Sequence, residues 1–133
     1  MHATIHGERT LTDLDFARLS KLPGHVRPPS LAQLLASAEV TGSRAVPSDV
    51  VTMYSRVELV DVHTHRRQTL TVCYPGDAEP TAGFISVLSP VGSSLLGLKV
   101  GDVAKWLTPH GDECASQVAA ILFQPEATGD YQT

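Results

Sequence analysis

The stretch SVLSPVGSSLLGLKVGD, residues 86–102, decides how the rest of the chain is read. Only Lys99 and Asp102 are charged in it, and Pro90, Gly92, Gly97 and Gly101 punctuate it. Ser89 followed by Pro90 has the form of a helix N-cap with proline at the first helical position, where a backbone N–H is not needed. About two turns then carry Leu95 and Leu96 and stop at Gly97, and KVGD returns the chain to a strand. Such a segment bridges two strands and buries its leucines beneath a sheet. Local pattern accounts for its glycines and leucines, but not for an apolar, uncharged helix entrance.

Working outward, the apolar period is two on both sides, which predicts strands. VVTMYSRVELVDV (50–62) reads as one or two strands. TLTVCYP (69–75) places Leu70, Val72 and Tyr74 on one face, and FISVLS (84–89) leads into the opening stretch. HTHRRQ (63–68) is a polar turn and GDAEPTAG (76–83) a loop. DVAKWLT and ECASQVAAILFQP flank PHGD as a closing hairpin, and EATGDYQT (126–133) is expected to be extended and exposed.

Upstream of residue 47 the period is helical. Thr12 is a suitable N-cap for a helix from Leu14 to about Leu22, with Asp13 and Asp15 decorating its first turn. PGHVRPP (23–29) interrupts it, because proline does not continue a helix. Ser30 with Gln33 has the capping-box form, Leu31, Leu34, Leu35 and Ala38 make one stripe, and Gly42 is expected to end that helix. The expected fold class is therefore α+β: a short N-terminal helical hairpin, residues 1–46, then an antiparallel sheet packed on a short helix, residues 47–133.

Composition narrows the function. The chain has 133 residues, 42% of them hydrophobic, which suits one domain with a small appendage. Ten Lys and Arg stand against 14 Asp and Glu, a net charge of −4 that argues against direct nucleic-acid binding. No apolar run approaches a membrane span and MHATIHGERT has no signal-peptide core, so a cytoplasmic location is expected. Cys73 and Cys114 lie in apolar runs and are read as small core residues. His63 and His65 share a strand face, yet no third ligand stands at metal-binding spacing, so they are read as a solvated turn beside Arg66 and Arg67. No nucleophile elbow, P-loop or dinucleotide fingerprint is present, and the carboxylates are scattered. No metal, no cofactor and no enzymatic activity are expected.

PSDVVTMYSRV (47–57), SPVGSSLLGLKVGD (89–102) and FQPEATGDY (123–131) together resemble the bacterial family of regulators of nucleoside diphosphate kinase. The SPxGxxLLGxxxGD element is shared with the Gre transcript-cleavage factors, while DVVTM and PEATGDY are particular to the regulator branch. The resemblance implies an FKBP-like C-terminal fold, a short N-terminal coiled coil, and binding to RNA polymerase at the rim of its secondary channel; a monomer is expected. Carried over by position, Ser89 and Pro90 would be the partner-binding residues, with Val91 and Gly92 beside them and Leu95 and Leu96 as buried support. A neutral, apolar edge suits this, since interface centres are depleted of charge.

Two departures limit what the resemblance implies. Prolyl isomerase activity does not follow, because the aromatics Tyr54, Tyr74, Phe84, Trp106, Phe123 and Tyr131 do not read as one pocket lining. In Gre factors, acidic residues at the tip of a long coiled coil help to hold a catalytic Mg²⁺. Here the tip, KLPGHVRPP (21–29), has no Asp or Glu and carries Lys21, His25 and Arg27. A hard cation needs oxygen ligands, so stimulation of transcript cleavage is not expected. The alternatives are a Gre-like cleavage cofactor, or an adaptor that binds another protein such as nucleoside diphosphate kinase.

Overall fold

The computed structural model describes residues 9–23 and 26–129. Two sheets and three helices make up these residues. A two-stranded sheet joins β1 (Thr10–Thr12) to β2 (Glu39–Thr41) and brackets α1 (Asp13–Ser20) and α2 (Pro29–Ser37). The larger sheet holds β3 (Arg56–Asp61), β4 (Arg67–Cys73), β5 (Phe84–Ser86), β6 (Val103–Leu107) and β7 (Glu113–Phe123) in the order β5-β4-β3-β7-β6. Helix α3 (Pro90–Leu95) links β5 to β6. Among the described residues no helix is long and apolar enough to cross a membrane.

Thr12 caps α1 as expected, its hydroxyl accepting from the Asp15 amide at 3.0 Å. The capping box on α2 is not formed. Pro28 takes the N-cap position and the Ser30 hydroxyl instead lies 2.8 Å from that of Ser93 on α3. The helix also ends earlier than Gly42, with Ala38 as its C-cap, because residues 39–41 pair parallel with β1 and the Glu39 amide donates to the Arg9 carbonyl. Three-residue strands are too short to show a period, so composition could not reveal them. The apolar stripe is as expected in its deepest members: Leu31 and Leu34 are sealed in one cluster with Leu19, Leu95, Leu96 and Val118.

The strand pattern needs three corrections. Residues 50–53 and Ser55 are buried and Tyr54 half-buried, but the segment is irregular, held beside the chain at 97–100 by Val51 N–H to the Leu98 carbonyl and Gly97 N–H to the Val51 carbonyl, so regular pairing starts only at Arg56. The sheet is antiparallel except at one edge, where β5 runs parallel to β4, since the loop at 74–83 carries the chain back across the sheet end before pairing resumes. KVGD is a turn rather than strand, apart from one bridge between Val50 and Lys99. The hairpin of β6 and β7 forms as expected, from Val103 opposite Gln117 to Leu107 opposite Glu113.

Two further expectations fail for a shared reason. The segment after β7 is not extended: Glu126–Thr128 form a 3-10 turn, and Gln124, Pro125 and Glu126 are buried, while residues 127–129 are exposed as expected. Gln124 Nε2 donates to the Pro47 and Val50 carbonyls, each at 2.8 Å, and Glu126 accepts from the Thr52 hydroxyl at 2.7 Å. Asp15 likewise does not decorate a surface turn: it is fully buried and its Oδ2 accepts from the Met53 amide at 3.1 Å. Polar groups of the irregular 47–53 loop, the backbone at Pro47, Val50 and Met53 and the hydroxyl of Thr52, must be satisfied, and these side chains do it. Cys73 is buried, whereas Cys114 is only half-buried; both are free thiols.

Candidate docking site

The corner at residues 86–92 is built by a chain of short hydrogen bonds. Ser89 Oγ accepts from the Gly92 amide at 3.1 Å and donates to the Ser86 carbonyl at 2.7 Å, while Ser86 Oγ accepts from the Leu88 amide at 3.0 Å. The cap thus ties α3 directly to the end of β5. Further along, Ser93 Oγ sits within hydrogen-bond distance of the Ser89 carbonyl and of Ser30, and Ser94 Oγ donates to the Val91 carbonyl. Every serine of the stretch is used to hold the backbone, which makes the corner rigid.

The four residues singled out in the sequence do not share one degree of exposure. Pro90 is exposed; Ser89 and Val91 are half-buried, Val91 against the core; Gly92 is buried. A Cβ on Gly92 would lie 2.1 Å from the Ser86 carbonyl oxygen, so this position shapes the corner from within and offers no side chain to a partner. Leu95 and Leu96 are both sealed beneath it.

Beside the corner runs a groove of about 780 Å³ between α3, the start of α2 and the sheet-edge strand β6. Leu88, Pro90, Leu98, Trp106 and Leu107 supply apolar wall, and Arg9 and Lys105 supply charge. Arg9 is anchored: Nη1 donates to the carbonyls of Ser93, Ser94 and Leu96 at 2.9, 3.2 and 3.2 Å, placing a cation at the carboxyl end of α3, where the helix dipole favours it. Sequence reading missed Arg9, Lys105 and Trp106 as neighbours of this corner. The signal available was KWL (105–107), a strand end where alternation must leave Leu107 outward; it is 57% exposed.

The other candidate chemistries are not assembled. Among the described residues no group of three or more His, Cys, Asp or Glu could hold a metal ion. Tyr54 and Tyr74 rings lie 5.8 Å apart, but Phe84 and Phe123 face solvent elsewhere, so these aromatics do not line a common pocket. At the interhelical tip Lys21 is exposed and Arg27 half-buried; His25 lies outside the described residues, as does Tyr131. The carboxylate nearest in sequence, Asp15, is at the opposite end of α1, inside the core.

Comparison with known proteins converges on one group. Residues 46–123 match the family described as transcription elongation factor, GreA/GreB, C-term. The regulator of nucleoside diphosphate kinase from Escherichia coli (strain K12) is 35% identical over 127 residues, covering 91% of this chain and 93% of that protein. Transcription elongation factor GreA from Clostridium beijerinckii is 35% identical over 81 residues, 61% of this chain and 51% of its own length. Among solved structures, a GreA/GreB elongation factor from Nitrosomonas europaea superposes with TM-score 0.70 at 33% identity, covering 86% of this chain and 99% of that one. The GreA factor homologue Gfh1 of Thermus thermophilus superposes with TM-score 0.51 at 26% identity.

Proposed function

The chain belongs to the GreA/GreB C-terminal family, in its regulator of nucleoside diphosphate kinase branch, and from that premise we propose a non-enzymatic transcription regulator that docks on RNA polymerase at the rim of the secondary channel. The observation that carries this reading is the corner at 86–92: exposed Pro90, uncharged neighbours, and a backbone held by Ser86 and Ser89 over two sealed leucines. A pre-ordered apolar edge loses little conformational entropy on binding, and that favours protein docking. Ser89, Pro90 and Val91 make the contact; Gly92 sets its shape. In this reading the FKBP-like unit from residue 47 onward docks, the helical unit up to residue 46 projects, and the protein acts as a cytoplasmic monomer.

Docking is tested by titrating purified core RNA polymerase with the wild type and with Pro90→Asp, whose folding is checked by thermal melting. Weakening of at least about tenfold is expected, equivalent to about 1.4 kcal/mol. Equal affinity takes Pro90 out of the interface.

The reading also denies a part in chemistry. Residues 21–29 supply no carboxylate to a Mg²⁺, and α1 and α2, of 8 and 9 residues, span only about 12–14 Å each. A backtracked elongation complex incubated with the protein is therefore expected to cleave its transcript no faster than without it. Acceleration that depends on the protein favours a cleavage cofactor instead.

A further inference from the structure

We propose that Arg9 is a positioning residue for the docking corner: it fixes the carboxyl end of α3 and so sets the angle at which Pro90, at the other end, meets its partner. This rests on the polymerase-docking reading above. A helix leaves its last carbonyls without partners of its own, and in a helix of six residues those are most of the acceptors it has. Two are closed locally, Gly92 by the Leu96 amide at 3.2 Å and Leu95 by the Leu98 amide at 3.1 Å. Arg9 Nη1 donates to those of Ser93, Ser94 and Leu96, and the Thr10 amide donates to that of Gly97 at 3.1 Å. Four of the six carbonyls from residue 92 to residue 97 therefore depend on two residues at least 84 positions upstream.

The contact is close as well as bonded. Gly97 ends the helix at φ +86°, and a Cβ there would lie 3.0 Å from Arg9 Cβ and 3.1 Å from the Thr10 carbonyl oxygen. The strand that begins at Thr10 thus lies directly against the turn that closes α3. Ser30 on α2 adds a second tie through Ser93. At the amino end the Ser86 and Ser89 bonds hold the helix to β5, so α3 is fixed at both ends and Pro90 stands on the shorter lever. Arginine suits the task, since a planar guanidinium reaches several acceptors where an ammonium is a point donor. Without it three carbonyls lose their donor and α3 is free to tilt. Apparent affinity then falls by the fraction of molecules that still present Pro90 correctly. A direct salt link from Arg9 to the partner is the competing account, because the side chain is half-buried rather than sealed.

The test is a double-mutant cycle read as affinity for nucleic-acid-free core RNA polymerase, at a temperature where thermal melting shows every variant folded. Arg9→Met, which keeps the apolar stem and removes every donor, is expected to bind at least about tenfold more weakly than the wild type. Arg9→Lys keeps one donor group and is expected to lose only about threefold. Combined with Pro90→Asp, Arg9→Met should add less than about a further twofold, because it acts only through the corner that Pro90→Asp has already spoiled. If Arg9→Met does not fold, Arg9→Lys takes its place in the cycle. Wild-type affinity in Arg9→Met, with Pro90→Asp weakened, overturns the positioning role and leaves docking standing. Losses that multiply in the double variant, or an affinity that falls less steeply with salt in Arg9→Met than in the wild type, mean that Arg9 touches the partner itself and overturn the proposal as well. Should the wild type not bind at all, docking falls and takes the positioning role with it.

Discussion

Gly92→Ala is expected to destabilise the whole chain by about 3 kcal/mol, lowering its melting temperature by about 10 °C. The added Cβ would meet the Ser86 carbonyl oxygen at 2.1 Å, its carbon at 2.9 Å and the Val87 Cα at 3.0 Å. All three are backbone atoms, so no side chain can rotate aside. The Ser86 carbonyl cannot retreat without cost, since it accepts from both the Ser89 amide at 3.0 Å and the Ser89 hydroxyl at 2.7 Å. Relief therefore means pulling α3 away from β5, and with it Leu95 and Leu96 from the core. Urea unfolding of this variant beside Gly42→Ala, where a Cβ meets nothing within 4 Å, provides the check. Equal stability of the two variants would show that the corner yields, and would remove the rigidity on which the docking argument depends.

Asp15→Asn is expected to stabilise the protein at pH 7.5 by about 2 kcal/mol, raising the melting temperature by about 7 °C. Burial lifts the Asp15 carboxyl from 3.8 to about 6; the Met53 amide opposes the shift and the charge of Glu126 adds to it. The surrounding groups include Thr12 and Arg18 on its own side of the core and Tyr74 at the end of β4, whose hydroxyl is itself pushed far up by burial. A carboxyl whose folded value is raised stabilises the fold fully below its unfolded value, near pH 4, and that stabilisation is lost as pH rises through about 6. The asparagine keeps an oxygen for the Met53 amide and never has to carry charge. Wild-type stability should therefore decline between pH 4 and pH 6.5 relative to the variant, and the two curves should run parallel above that range. A variant no more stable than the wild type at pH 7.5 would mean that the ionised carboxylate is well compensated where it sits.

The helix that forms the corner was legible because its signals are adjacent. Ser89, Pro90 and Gly97 act within one or two turns of the backbone they cap, start or end. The same holds for Thr12 on α1 and for the hairpin of β6 and β7. The capping box failed on the same scale of distance, because Ser30 has a better partner 63 residues away in Ser93. Asp15 and Glu126 looked like surface charges for a similar reason. Each is recruited by the irregular 47–53 loop, whose unpaired amide and hydroxyl groups no spacing rule announces.

By itself, then, the amino-acid order determined that two short helices precede the larger sheet, the capped helix between β5 and β6, and the absence of acids from residues 21–29. Tertiary structure alone decided that β5 lies parallel to β4, that Gly92 is sealed while Pro90 is open, and that Arg9 stands at the far end of α3. The physical reason is range. Caps, turns and amphipathic periods are set by groups within a few residues of one another, whereas burial and charge grouping depend on which distant segments close the core, and a linear pattern holds no distances between them.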